Sequence, residues 1–240
     1  MSSAVEIGGL LALGLTLGMK HALEADHVAA VAALATRSRS VGHTVLQGVV
    51  WGMGHTATLF LFGGVVLAMQ LVVPERLAFA LELTVGVMLV ILGLDVFRRM
   101  RRDRVHFHAH AHADRVVHLH AHSHGGDAAP HDAARHHHPH PERFPVRALL
   151  VGMTHGMAGS AALIVMTLGS TSSLGLGLGA IAAFGVGSIA GMAALSLVIA
   201  IPLRLSARLL TRVYDALQAL AGSVTLVLGA AIVYQAVVAQ

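Results

Sequence analysis

Long apolar runs dominate the chain, and their length decides what they are. Six windows, roughly Ile7 to Ala35, Val45 to Val72, Leu77 to Phe97, Val146 to Leu168, Leu174 to Leu203 and Leu217 to Val238, hold little besides Ala, Leu, Val, Ile, Met and Gly. A bilayer core about 30 Å thick takes about 20 apolar residues per helix, so each window is long enough to span it. The runs are continuous instead of alternating, which argues against a transmembrane β-barrel. The pattern predicts an all-α polytopic membrane protein with six transmembrane helices. With 55% hydrophobic and 12% charged residues and a mean hydropathy of +0.73, a soluble domain is excluded. The 26 glycines suit helices that approach one another through small residues.

The windows repeat. GMKHALEADHVAAV, from Gly18, aligns with GMTHGMAGSAALIV, from Gly152, so that His21 falls on His155. WGMGHT (Trp51 to Thr56) then falls on FGVGSI (Phe184 to Ile189), and ELTVGVMLVILG (from Glu82) on QALAGSVTLVLG (from Gln218), with offsets of 134, 133 and 136. Near-constant offsets predict two halves of three spans each. An odd number of spans inverts the second half, the plan of many secondary transporters. Residues 1–97 are then the first three-helix repeat, residues 98–143 an insert, and residues 144–240 the second repeat. Inverted halves meet their own counterparts only near the midplane, which makes that depth the expected place for a substrate.

Arginines divide by side. Arg37, Arg39, the cluster Arg98 to Arg104, and Arg143, Arg147, Arg204, Arg208 and Arg212 fall on one side of six alternating spans, and Arg76 alone on the other. The arginine-rich side is expected to be cytoplasmic, with both termini outside the inner (cytoplasmic) membrane of the cell. Because these arginines flank hydrophobic spans, the formal charge of +4 does not point to nucleic acid. The acidic start MSSAVE lacks the basic region of a cleavable leader, so the first span is expected to be retained.

The insert holds 13 of the 18 histidines. VHFHAHAHADRVVHLHAHSH, from Val105, carries them at every second position on either side of ADRVV, the period of a strand. A hairpin turning at Asp114 to Val116 pairs His112 with His118, His110 with His120, His108 with His122 and His106 with His124, and lines one face with eight imidazoles. Gly125 to Pro141, rich in His, Pro, Gly and Ala, is expected to be disordered. Metal capture on the cytoplasmic side suits this loop; a drifting repetitive linker is the plainer alternative.

Ionisable residues inside an apolar span point to function. The first window contains Lys20, His21, Glu24, Asp26 and His27. On one continuous helix His21, Glu24 and His27 share a slowly rotating face, and Asp26 lies about 140° from His21. Two imidazoles and a carboxylate make a partial shell for a divalent transition metal. Asp26 either orients a ligand histidine or is brought in by unwinding near Gly18. The plainer alternative is a structural ion-pair network with Lys20. His55 and His155 are lone histidines whose expected role is to complete the shell, whereas His43, at a span's end, reads as interfacial. Cysteine is absent, so ligands must be nitrogen and oxygen, which suits Ni(II) and Co(II) and accommodates Zn(II).

These residues resemble a known family. HALEADHVAAVAALATR, from His21, looks like the signature of the nickel/cobalt transporter (NiCoT) family, a histidine followed after four residues by Asp-His in a transmembrane helix. His21, Asp26 and His27 match it, and WGMGHT resembles the Gly-His-Ser/Thr element of the next family helix, with His55 in the histidine's place. The likeness is greatest to the short urease-associated UreH-type members. It implies a secondary carrier of Ni(II), or of Co(II), acting in uptake, with the metal as cargo and no prosthetic group. Implied partners are the ion, the lipid bilayer and cytoplasmic nickel chaperones or urease maturation proteins. The later acidic motif of longer members is not visible, and HGMAGSAA, from His155, stands in its place. Two rivals are an efflux protein with the same site and an intramembrane metalloenzyme; the latter lacks the expected H-E-x-x-H, so no enzyme is expected.

Overall fold

The apolar windows fold as helices, as they must where lipid offers no partner to a free backbone N–H or C=O. The computed structural model describes residues 2–38, 40–69, 74–102, 105–111, 117–123, 144–170, 173–209 and 211–238. The helices are α1 (Ser2–His21), α2 (Ala25–Ala35), α3 (Val41–Met69), α4 (Glu75–Arg102), α5 (Val146–Ser170), α6 (Leu174–Leu209) and α7 (Thr211–Val238). Strands β1 (Val105–Ala111) and β2 (Val117–Ser123) lie between α4 and α5 in the chain. Among the described residues α3, α4, α6 and α7 are long and apolar enough to cross a membrane. Leu61, Ile91 and Val227 stand exposed on α3, α4 and α7, as side chains do when their solvent is lipid. The chain is an all-α polytopic membrane protein, the β1–β2 pair aside.

The first window departs from expectation, because it is two helices. Leu23 and Glu24 donate backbone bonds to Lys20 and His21, three residues back, at 2.9 and 3.0 Å, which tightens the last turn of α1. Glu24 is then extended (φ −64°, ψ 149°) and serves as the N-cap of α2, whose first regular bond runs from Val28 N–H to Glu24 C=O at 2.9 Å. No glycine or proline lies in the break. Ala, Leu and Glu favour helix, so tertiary contacts set the interruption and not local propensity. Of the two roles open to Asp26, the one that needs unwinding near Gly18 is not met: Gly18 is helical, and a Cβ there would run into the Phe184 carbonyl. The break falls four residues later, where side chains and not backbone are needed.

Packing follows a matched pattern. α1 lies against α6 as α5 lies against α3, while α3 meets α6 and α4 meets α7. Glycines make these approaches possible, and they come in pairs. Gly18 faces the backbone of Phe184, and Gly152, one repeat later, faces the backbone of Trp51. Gly187 meets the carbonyl of Leu15, and Gly54 meets that of Leu149. Trp51, Leu89, Ile181 and Met192 fill the interior between these contacts. At the arginine-rich end Asp95 of α4 takes Arg37 at 3.6 Å, Arg99 at 3.4 Å and Arg147 at 3.7 Å, tying the end of α2 and the start of α5 to α4.

β1 and β2 pair antiparallel, with His106 opposite His122, His108 opposite His120 and His110 opposite His118. The expected register is corrected by two residues. Alternation alone could not choose, because a two-residue slip still sets histidine opposite histidine along the paired stretch. The observed register also sets Phe107, Ala109 and Ala111 against Ala121, Leu119 and Val117, where the expected one would set Phe107 against Ser123. His112, His124, the turn at Asp114 to Val116 and the expected disorder of Gly125 to Pro141 lie outside the described residues.

If these approaches hold the bundle together, Gly152→Leu drives a wedge between α5 and α3 and destabilises by at least the ~1–3 kcal/mol typical of overpacking. Its melting temperature in detergent is expected to fall by several degrees, and that of Gly9→Leu, which meets nothing within 4 Å, to stay put. Equal melting temperatures would contradict the packing.

Candidate metal centre

Glu24, Asp26 and His27 stand at the α1–α2 break because α2 restarts there at a new angle. Asp26, in the first turn of α2, accepts the backbone N–H of His27 at 2.9 Å. A carboxylate is also stabilised by the positive end of the helix dipole. Its two oxygens reach two imidazoles: Oδ1 to His27 Nδ1 at 2.9 Å and Oδ2 to His155 Nε2 at 2.8 Å. An ionised carboxylate only accepts, so both rings must donate. The tautomers follow. His27 keeps a lone pair on Nε2 and His155 keeps one on Nδ1.

His21 is held in the same manner, its Nδ1 facing Glu24 Oε1 at 3.0 Å. Its ring lies 4.4 Å from that of His27 and 5.2 Å from that of His55, and His27 and His55 are 5.5 Å apart. Aromatic walls fix these planes: Trp51 stacks on His27 at 5.5 Å and 16°, and Phe184 lies 5.2 Å from His21. His27 is 1% exposed, His155 2% and His55 not at all. Nevertheless Nε2 of His21, Nε2 of His27 and both ring nitrogens of His55 have no hydrogen-bond partner. Each buried orphan costs about 1–3 kcal/mol unless a water or an ion meets it. One ligating atom from each of His21, His27 and His55 lies within 4.8 Å of the others, a spacing that can close around a metal ion.

Asp26, His27 and His155 form a second such group. Its atoms already hydrogen-bond one another, so Asp26 is better placed to hold His27 and His155 than to bind the ion itself. The resulting carboxylate–histidine pairs, Asp26–His27 and Glu24–His21, leave Nε2 of each ring without a partner in the protein.

The structure brings together all six sequence-predicted residues, in altered roles. His21, Glu24 and His27 do not share a helix face, because the helix is broken between them. Glu24, with a side chain 58% exposed, holds His21 from outside. Lys20 is exposed and pairs with none of them, so the alternative network does not form among the described residues. His43 lies apart, its backbone N–H donating to Ser40 Oγ at the start of α3.

A cavity of about 300 Å³ adjoins the cluster, walled by His21, Asp26, His27 and His155 on one side and by Glu82 and Gln235 on the other. Sequence reasoning missed the roles of Trp51, Phe184 and Glu82. Two signals were present: Trp51 and Phe184 occupy the same repeat position, one residue type apart, and Glu82 is a carboxylate inside a spanning window.

Over 230 residues, 94% of this chain and 90% of the relative, the sequence is 32% identical to the urease accessory protein UreH of Bacillus sp. (strain TB-90). No protein-family model and no solved structure matches the chain.

Replacing Asp26 by Asn keeps the shape but removes the charge that fixes the His27 tautomer. Loss of such a supporting carboxylate typically weakens metal affinity 10–100-fold. Titration calorimetry with Ni(II) on the purified protein is expected to show a weakening of about that size, and undiminished affinity would remove Asp26 from the centre.

Proposed function

We propose, for a chain that belongs to the family of the urease accessory protein UreH, that it is a secondary carrier which takes up Ni(II) through a site at the meeting of its two halves. The observation that carries this reading is the cluster of His21, His27 and His55, the last two buried, in which Nε2 of His21, Nε2 of His27 and both ring nitrogens of His55 have no partner in the protein. A permanent structural site would be expected to complete a closed shell. Three neutral nitrogens without thiolate suit a borderline dication that must also leave. The motif resemblance to nickel/cobalt carriers favours Ni(II), with Co(II) next and Zn(II) after it.

Matched packing supports the rest of the plan: six spans, the first broken, in two inverted repeats over residues 1–97 and 144–240. In this reading α1 on α6 and α5 on α3 are the same contact seen from opposite sides. His155, the counterpart of His21, acts through Asp26 and not on the ion. Uptake is favoured by the cavity, whose Glu82 and Gln235 lie toward the arginine-poor ends of α4 and α7, while Asp95 and its arginines close the other end. The ion sheds water for imidazole, the halves rock, and histidines of residues 98–143 receive it on the cytoplasmic side, for nickel chaperones or urease maturation proteins to collect.

Purified protein in liposomes is expected to accumulate radioactive nickel, with His27→Ala and His55→Ala at the background of empty vesicles. Background uptake by the unaltered chain would contradict the carrier. Removing residues 105–140 is expected to leave translocation in place and to lower metal retention in cells. Cells lacking the gene should hold less nickel; more nickel would make the direction export.

A further inference from the structure

α4 carries a buried stripe on one face, Val85, Leu89 and Val96, and Glu82 continues that stripe by one turn toward the start of the helix. Its side chain is exposed, on the helix face that borders the cavity. It stands seven residues into a spanning helix, about 10 Å along its axis, and it pairs with no described residue. An unpaired carboxylate at that depth is unfavourable unless water or a cation meets it. Glu82 lines the cavity beside the metal centre, and no lysine or arginine does. Into the same cavity fall two deeply buried imidazoles, His27 and His155, with Nε2 and Nδ1 respectively unpartnered. Three carboxylates, Glu24, Asp26 and Glu82, line the chamber together with His21, His27 and His155, and Val85 and Ile232 add apolar wall.

We infer that this chamber is a hydrated vestibule and that Glu82 is a second cation station, which draws a hydrated divalent transition-metal ion in from the arginine-poor side before the histidines strip its water. The inference rests on the carrier reading for its purpose but not for its test. A low-dielectric cleft lined by charge of one sign raises the local concentration of counter-ions by about 10-fold or more. Carboxylate oxygen suits the ion with its water shell still on, and imidazole suits it once the shell is gone. Division of labour between the two groups follows from that difference.

Because the chain has no cysteine, Gln235→Cys supplies a single thiol at the chamber mouth. It is exposed, from the arginine-poor side, to membrane-impermeant methanethiosulfonates, one cationic and one anionic. The cationic reagent is expected to react at least tenfold faster, after correction for a free thiol, and Ni(II) to slow it. Adding Glu82→Gln, with Glu24 and Asp26 still lining the chamber, should reduce the preference and raise the nickel needed for protection about tenfold. Val227→Cys, on the outward face of α7, should react with neither; should Gln235→Cys fold poorly, Ile232→Cys reads the same chamber. Equal preference with and without Glu82, a chamber thiol that neither reagent labels, or unchanged nickel protection in Glu82→Gln overturns the inference. Labelling needs no transport, so a chain that labels as expected but moves no nickel sinks the carrier reading and leaves the vestibule standing.

Discussion

One carboxylate organises the centre. Asp26 spans the distance between an imidazole of the first half and an imidazole of the second, with bonds of 2.9 and 2.8 Å to His27 and His155. Hydrogen bonds to a charged group contribute about 1.5–3 kcal/mol each. The same two bonds choose the tautomers, so the electrostatics of one residue decide which nitrogens are free to face a metal. Remove the charge and the rings lose both their orientation and their proton assignment.

That requirement accounts for the broken first span. On a continuous helix Asp26 lies about 140° from His21 and could not serve the same cluster. Interrupting the ladder at Ala22 to Glu24 forfeits a few backbone bonds of about 0.5–1.5 kcal/mol net, a loss softened by the three-residue bonds that tighten the end of α1. In return α2 restarts with Asp26 in its first turn, and both flanking histidines reach the interior. Glycines at matched positions then let α1 approach α6 and α5 approach α3 closely enough for Trp51 and Phe184 to brace the rings. Backbone proximity and side-chain chemistry are coupled here: bulkier residues at Gly18 or Gly152 would move the very helices that carry His21 and His155.

Much of this was legible in the chain because lipid simplifies the code. Long apolar windows could only be helices, and a carboxylate among them could only be kept for a reason, so His21, Asp26, His27, His55 and His155 stood out. The offsets of Gly152 from Gly18 and of Phe184 from Trp51 anticipated which glycines and aromatic side chains face one another. The place of the break was illegible, since Ala-Leu-Glu is strongly helix-forming and yields only to tertiary contacts that no local rule contains. The strand register was illegible for the opposite reason: histidine at every second position makes neighbouring registers alike. Glu82 was overlooked because a lone carboxylate near a window's end reads as interfacial until the fold shows which face it shares with Val85 and Leu89.

Taken together, the broken helix, the bridging carboxylate and the orphaned nitrogens make a cluster that can hold a metal ion. The most direct measurement is anomalous scattering at the nickel edge from crystals of the protein grown with Ni(II). A single strong peak within bonding distance of the ring nitrogens of His21, His27 and His55, with Asp26 still on His27 and His155, is the predicted result. A centre without a peak, its imidazoles turned to satisfy one another, would contradict it.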